Sequence, residues 1–111
     1  MNVYDTANRL AYEIKNSEEY INYKKMKEEV KNNRELKEKL EKFEKERYEV
    51  QIEAMSSGKQ DAEKVVDMQK IYAELISNDI MKKYFDAELK FNVMLADVNK
   101  IIGESVEDLI R

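Results

Sequence analysis

The sequence contains no histidine, cysteine, tryptophan or proline, and it has two glycines among its 111 residues. Histidine is the side chain that titrates near neutral pH, and cysteine is the most readily activated nucleophile. Their absence removes most routes to acid–base, covalent and transition-metal catalysis. Because proline and glycine are the residues that interrupt helices, their scarcity leaves long segments free to be helical. The sequence therefore predicts a helical protein that acts by contacting other molecules.

The composition also limits the cellular setting and the size of the fold. Without cysteine, a disulfide framework and a thiolate-bound metal or iron–sulfur cluster are excluded, which fits a reducing compartment. Charged residues make up 40% of the chain, yet the net charge is −4, so the chain has no overall attraction for nucleic acid or anionic membranes. With 42% hydrophobic residues we expect one folded domain over residues 1–111. Residues 103–111 mix acids with Val106, Leu109 and Ile110, and they either form a loose tail or dock onto the bundle or onto a partner.

Long apolar runs are missing as well. The apolar stretches are short, such as Val93-Met94-Leu95, whereas a membrane-spanning helix needs about 20 apolar residues. The first residues, Met1 to Asp5, contain no basic segment followed by an apolar run, so we expect no signal peptide. The sequence predicts a cytoplasmic protein with no membrane insertion.

Polar residues at three positions mark the starts of helices. The side-chain oxygens of Ser17, Asn33 and Asn78 can accept hydrogen bonds from the free N–H groups of a first helical turn. Gly58 should end the third helix and Gly103 the last long one, since glycine adopts the left-handed conformation at low cost. We predict an all-α fold of five helices at about 3–15, 18–31, 34–56, 61–76 and 79–102, followed by a short irregular or one-turn tail.

Two of these helices carry apolar residues at alternating spacings of four and three, the pattern of a helix-packing seam. On the third helix, Glu–Lys pairs four residues apart, such as Glu35 and Lys39, add about 0.2–0.5 kcal/mol each. Packing of the seams must therefore hold the fold together. The predicted packing or oligomer seam comprises Leu36, Leu40, Phe43, Arg47, Val50 and Ala54 on the third helix and Tyr84, Phe91, Met94 and Val98 on the fifth, whose stripe extends to Ile101.

The lengths of these two helices favour self-association. Each would have about 23 residues and extend for about 35 Å, which is long for a chain of this size. Such helices form an antiparallel hairpin or bundle, and they can bury their protruding ends against another copy. We therefore expect a homodimer or higher oligomer, most simply two-fold. A self-contained bundle is the alternative.

Some individual side chains leave more than one interpretation open. Arg47 can send its head group to a carboxylate or extend past the edge of a bundle with its stem packed. The tyrosines Tyr12, Tyr48, Tyr72 and Tyr84 are expected in the core with their hydroxyls at its rim. The methionines Met26, Met55, Met68, Met81 and Met94 are expected to fill the core rather than form a docking patch.

Enzymatic chemistry finds little support in the residues. Glu38, Glu41 and Glu44 recur every three residues, but each has a lysine beside it on a face that should be solvated. A ferritin-like di-metal site also needs histidines, which the chain lacks. A glycine-rich phosphate loop and a nucleophile elbow are missing too. We predict a protein that is not an enzyme and has no cofactor and no metal.

One region has an excess of positive charge. It is concentrated at Lys24, Lys25, Lys27, Lys31 and Arg34. Such a cluster could contact phosphates, but Glu28 and Glu29 interrupt it and no nucleic-acid recognition motif accompanies it. A solvated helix face is the favoured interpretation, so nucleic acid is not the expected partner. An RNA-associated protein that uses this face, and a purely structural scaffold, remain the alternatives.

Segments along most of the chain, among them Ser17-Glu18-Glu19-Tyr20, Tyr23-Lys24 and Ser77-Asn78-Asp79-Ile80, resemble the YlbF/YmcA family of small helical bacterial proteins. The resemblance runs from about Val3 to Ile102, and its motifs carry little chemistry. Within the family, the length and layout are similar to the YheA-like branch, whose function is unassigned. The matching segments are Ser17-Glu18-Glu19-Tyr20, Tyr23-Lys24, Glu29-Val30-Lys31-Asn32-Asn33, Leu36, Phe43-Glu44, Gln51, Gly58, Tyr72, Ser77-Asn78-Asp79-Ile80, Tyr84 and Ala87-Glu88.

This resemblance implies an all-helical fold, association into dimers or higher oligomers, and kinship with regulators in Gram-positive bacteria. Two members of the wider family act with a third, unrelated protein on RNA processing by a membrane-anchored endoribonuclease, a pathway that feeds competence, sporulation and biofilm formation. The iron–sulfur binding attributed to that complex depends on cysteines and does not carry over to this chain. By resemblance, we expect a protein–protein adaptor or regulator whose partners are itself and another cytosolic protein.

Overall fold

A computed structural model describes residues 2–110, and all of the regular secondary structure in this range is helical. The all-α prediction is therefore confirmed, and the first two helices have the predicted bounds. The helices are α1 (Val3–Lys15), α2 (Glu18–Lys31), α3 (Arg34–Ser57), α4 (Ala62–Ile76), α5 (Asp79–Ser105) and the single turn α6 (Glu107–Ile110).

The three predicted capping residues all act as caps. Ser17 Oγ accepts from the Tyr20 N–H at 3.1 Å, and Asn33 Oδ1 accepts from the Leu36 N–H at 3.2 Å. Asn78 Oδ1 accepts two bonds in the first turn of α5, the shorter at 2.9 Å. Each bond satisfies an N–H group that has no partner within its helix, so local sequence determines where these helices begin.

Two further caps were missed. Asn2 Oδ1 accepts from the Tyr4 N–H at 2.7 Å, and Asp61 Oδ1 accepts from the Glu63 N–H at 2.9 Å. Because Asp61 is the cap, α4 begins one residue later than predicted. Both residues belong to the Asn/Asp class that favours this position, which is the signal that could have identified them.

The helix ends agree with the prediction at Gly58 and disagree at Gly103. Gly58 has φ 72°, and its N–H donates to the Ala54 carbonyl at 3.0 Å, so it ends α3 in the left-handed conformation. At Gly103 the prediction is wrong, because α5 continues to Ser105. Glycine weakens a helix interior by about 1 kcal/mol, which a 27-residue helix can absorb when no left-handed turn is required.

The chain divides into two compact units, and the boundaries fall within α2 and α5. Unit 2, residues 27–83, contains the hairpin of α3 and α4. Phe43 lies against Tyr72, whereas Glu49, later in α3, pairs with Lys64, earlier in α4. This order of contacts makes the two helices antiparallel. The buried residues of the two helices are Leu36, Leu40, Phe43, Val50, Ile71 and Leu75.

Unit 1, residues 2–26 and 84–110, is organised by aromatic packing between α2 and α5. The ring of Tyr23 lies 5.7 Å from Tyr84 and 5.4 Å from Phe91, and Tyr20 lies 6.1 Å from Phe91. The Tyr23 hydroxyl donates to Glu88 at 3.3 Å. Offset and edge-on aromatic pairs add about 0.5–1.5 kcal/mol each beyond the area they bury, so this cluster fixes how α2 and α5 pack.

Candidate protein-interaction surfaces

The predicted seam of α3 faces α4. Leu36, Leu40, Phe43 and Val50 are buried, and Ala54 is half-buried. The Phe43 ring lies 5.6 Å from that of Tyr72, centroid to centroid. The spacing had left open whether this seam meets a helix of the same chain or of a second copy, and in the structure a helix of the same chain occupies it.

Arg47, the basic residue within this seam, is half-buried. Its guanidinium carbon lies 5.3 Å from the centre of the Phe43 ring. A cation at this distance over an aromatic face is stabilised by the ring quadrupole, by about 0.5–1 kcal/mol near solvent. The stem and head of Arg47 therefore pack onto the aromatic end of the hairpin core.

The stripe on α5 is covered along part of its length. Tyr84 is buried, Phe91, Met94 and Val98 are half-buried, and Ile101 is exposed. The four-and-three spacing continues through Ile101, but the burial does not. Periodicity identifies which face of a helix is apolar and does not specify how far a neighbouring helix covers that face.

The expectation that the tyrosines and methionines lie in the core is wrong for four residues. Tyr12, Tyr48 and Met55 are exposed by 69%, 65% and 83%, and Tyr72 by 40%. Tyr12 lies on α1, which contains no buried residue among those described. Tyr48 and Met55 lie on the solvent side of α3, about 100° around the helix from the seam at 100° per residue. The apolar character of these residues predicted burial, but their positions on the helices leave them exposed to solvent.

Both ends of the chain expose large apolar side chains, and sequence reasoning did not single out those of α1. On α1, Val3 and Tyr4 are exposed, while Leu10 and Ile14 are half-buried. From residue 99 to residue 110, all side chains are exposed. A signal was present, because Val3, Ala7, Leu10 and Ile14 of α1 follow the four-three-four spacing of an amphipathic helix.

The predicted basic face extends over two helices. Lys24, Lys25, Lys27 and Lys31 are exposed on α2, whereas Arg34 is the first residue of α3. The Arg34 Nε atom lies 3.3 Å from Glu38 Oε1, four residues along the same helix. The lysines of α2 therefore form the contiguous part of the cluster.

A cluster of charged groups crosses the hairpin between α3 and α4. A hydrogen bond to Asp67 raises the pKa of Glu46 above 4.5; desolvation, the charge of Asp67 and the charge of Glu49 act in the same direction, and Lys42 opposes them. The Oε2 atom of Glu46 is shielded from solvent and has no hydrogen-bond partner. Lys64 Nζ lies 3.6 Å from Glu49 and 3.9 Å from Glu53. The contact with Asp67 thus favours the protonated form of Glu46.

We expect this pair to make the stability of the hairpin depend on pH. Glu46 titrates near 4.5 in the unfolded chain and at a higher pH in the folded chain, so within that window the folded chain binds more protons. The free energy of unfolding should therefore fall as the pH rises through the window, by less than about 1 kcal/mol because the site is near solvent. Glu46→Gln should flatten this dependence, since the glutamine amide can donate a hydrogen bond to Asp67 at every pH and does not titrate. Urea unfolding at several pH values measures it.

The exposed Glu44 provides the matched control, since Glu44→Gln makes the same chemical change two residues away. It should leave the pH dependence as it is in the wild type. An equal flattening by both variants would show that the pH dependence does not come from the pair of Glu46 and Asp67.

Metal binding and membrane insertion are two further possibilities for residues 2–110. Within this range, no group of three or more acidic side chains is arranged so that it could hold a metal ion. Over the same range, no helix combines the length and the apolar character that crossing a membrane requires.

The features that remain are an antiparallel hairpin, an aromatic cluster and exposed apolar helix faces, which together define a small all-helical protein suited to contacts with other proteins. Residues 3–107 match the family model described as "Control of competence regulator ComK, YlbF/YmcA". The chain belongs to this family, as the matching segments of its sequence predicted.

Similar proteins cover almost the full length of the chain. A UPF0342 protein of Clostridium novyi is 36% identical over 109 residues, which are 97% of this chain and 95% of the relative. A UPF0342 protein of Halothermothrix orenii is 33% identical over 107 residues, which are 96% of this chain and 91% of the relative. These relatives carry no enzyme name, consistent with a family of unassigned function.

Solved structures share the fold. A protein of unknown function (DUF964) from Bacillus stearothermophilus superposes with a TM-score of 0.83 at 18% identity, over 98% of this chain and 96% of the other. Bacillus subtilis RicA, crystallised in complex with RicF, gives a TM-score of 0.63 at 23% identity, with 98% and 96% of the two chains covered. At these identities the likeness establishes the fold.

Proposed function

We propose that this protein is a non-enzymatic adaptor or regulator in the bacterial cytoplasm that associates with itself and with another protein. We further propose a link to RNA processing or developmental regulation. The membership of a family described as controlling a competence regulator supports this, and so does the structural neighbour solved as a complex of two proteins.

The observation that carries the proposal is the exposure of large apolar side chains on helices at both ends of the chain. Val3, Tyr4, Leu109 and Ile110 are each exposed by more than three quarters. Apolar helix faces in water favour association with other apolar surfaces, and contiguous exposed patches mark interaction sites. Their chemistry fits contact with proteins.

In-cell crosslinking tests the proposal. The tagged protein is recovered from its native bacterium with and without ribonuclease, and its partners are identified by mass spectrometry. The same recovery is made with a variant that carries Leu109→Asp and Ile110→Asp. A reproducible, ribonuclease-resistant partner that the variant loses would support the adaptor. Recovery of nothing but its own copies would overturn the adaptor in favour of a structural scaffold.

RNA association is the second candidate, favoured by the exposure of the α2 lysines. If it occurs, replacing Lys24, Lys25 and Lys27 with glutamate should reduce affinity for a single-stranded RNA oligonucleotide by more than about tenfold, because phosphate contacts dominate such binding. Fluorescence anisotropy measures the affinity, and circular dichroism checks that the helicity is unchanged. Unchanged RNA affinity would contradict the idea.

The matched control for this variant changes three other exposed lysines, Lys82, Lys83 and Lys90, to glutamate. The change in net charge is the same, but none of the three belongs to α2. An equal loss of affinity in both variants would indicate a non-specific effect of net charge, and would exclude the basic face of α2 as the RNA site.

A further inference from the structure

We propose that the self-association surface of this protein lies on α1 and on the C-terminal end of the chain, in unit 1, and that a second copy of the chain covers it. We call this the terminal surface. This inference rests on the self-association part of the proposed function and assigns it a location. The residues of the terminal surface are Val3, Tyr4, Ile101, Leu109 and Ile110, each at least 69% exposed.

The first argument is the marginal stability of α1 by itself. This helix has 13 residues and none of them is buried. Isolated helices shorter than about 12–15 residues are marginal in water, and most helix stability in proteins comes from packing of an apolar face. The stripe formed by Val3, Ala7, Leu10 and Ile14 is such a face, and within the chain Leu10 and Ile14 are covered only in part. A packing partner from outside the chain would complete it.

The second argument comes from the other end of the chain. Beyond Val98 the apolar positions of α5 continue, but every side chain from residue 99 to residue 110 is exposed. Ile101 lies on the same stripe as Tyr84, which is buried. Leu109 and Ile110 add two further apolar side chains on α6. One continuous stripe is therefore buried at one end and uncovered at the other.

The area involved fits a stable dimer. Burying one large apolar side chain is worth about 1.5–3 kcal/mol, which corresponds to about 60–120 Å² of apolar area. Five such side chains on each of two copies, each about three quarters exposed, therefore offer about 450–950 Å². A standard interface of about 1,200–2,000 Å² contains about 700–1,200 Å² of apolar area. The terminal surface has the size that a two-copy interface requires.

Two cations beside these side chains do not oppose the approach of an identical copy. On α1, Arg9 Nε lies 3.5 Å from Glu13 Oε1, and on α5, Lys100 Nζ lies 3.9 Å from Glu104 Oε1. Each cation is thus neutralised by a carboxylate of its own helix. Unpaired cations on two identical surfaces would repel each other, whereas these two paired cations do not.

The alternative location, the seam of α3, is already used within the chain. Its residues Leu36, Leu40 and Val50 are buried, and α4 packs against it through Tyr72 and Phe43. A second copy could reach this seam only by displacing α4. The terminal surface carries no such cost.

Sedimentation equilibrium of the full chain over a range of concentrations tests the proposal. We expect a wild-type mass of twice 13.2 kDa. Val3→Lys with Tyr4→Lys, and separately Ile101→Lys with Leu109→Lys, should each raise the dissociation constant by more than about tenfold. Tyr48→Lys with Met55→Lys is the matched control, since it places the same two charges at exposed apolar positions of α3.

Hydrogen exchange gives a second readout that does not depend on substitutions. Amides of α1 should become more protected as the wild-type concentration rises, while those of the α3–α4 hairpin should not change. A wild type that stays monomeric would overturn both self-association and this inference. An oligomer that persists in both terminal variants, or that only the α3 control dissociates, would overturn the location and leave self-association standing.

Discussion

Phe43→Ala lowers the free energy of unfolding by about 3–5 kcal/mol, the range expected when a buried aromatic side chain is truncated. Phe43 is 6% exposed and lies at the centre of the hairpin seam. Its ring contacts Tyr72 from α4 at 5.6 Å between centroids, and the guanidinium of Arg47 covers it at 5.3 Å. Alanine would remove the aromatic contact and the cation–π contact together and leave a cavity between two helices.

Urea unfolding followed by far-ultraviolet circular dichroism measures this effect. Tyr48→Ala, on the same helix and 65% exposed, is the matched control and should change stability by no more than about 0.5 kcal/mol. Leu40→Ala, at a buried seam position, should cost about 2–5 kcal/mol. A Phe43→Ala variant that unfolds at the wild-type urea concentration would show that this seam does not hold the hairpin together.

Most helix bounds could be predicted from the sequence because local interactions determine them. Asn33 and Asn78 each bond N–H groups two or three residues ahead, so the cap and its target lie in one short segment. Gly58 is similar, since its left-handed backbone depends on its own lack of a side chain. Features of this kind need no knowledge of which helices are neighbours.

The extent to which each helix face is covered could not be predicted from the sequence, because it depends on neighbouring residues that are distant in the chain. The spacing of Tyr84, Val98 and Ile101 is uniform, yet Tyr84 is buried and Ile101 is exposed. Gly103 shows a related effect, since glycine permits a helix to end but does not require it. A periodic pattern thus identifies apolar faces and leaves their partners undetermined.

The pair of Glu46 and Asp67 shows the same principle for charge. Each residue looks like an ordinary acidic position on a helix surface, and 21 residues separate them in the sequence. Their contact depends on the register of α3 against α4, which the turn and the packing of the seam determine jointly. The raised pKa of Glu46 is therefore a property of the hairpin that neither segment shows by itself.

Met81→Asp prevents cooperative folding, or lowers the free energy of unfolding by more than about 4 kcal/mol. Met81 is 0% exposed, so an ionised carboxylate at this position would be buried. A buried charge without a partner is among the most costly substitutions. Helix propensity cannot account for the loss, because Met81 is in the first turn of α5, where a negative charge favours the helix.

Thermal unfolding of two further variants separates burial from the other effects of the substitution. Lys82→Asp places the same charged side chain one residue later, at an exposed position in the same turn, and should melt close to the wild type because surface changes usually stay within about 0.5 kcal/mol. Met81→Leu conserves the volume and should cost less than about 1.5 kcal/mol. If Met81→Asp melts like Lys82→Asp, the first turn of α5 is not packed into the core. If Met81→Leu is as damaging as Met81→Asp, the shape of the site rather than the buried charge determines the effect.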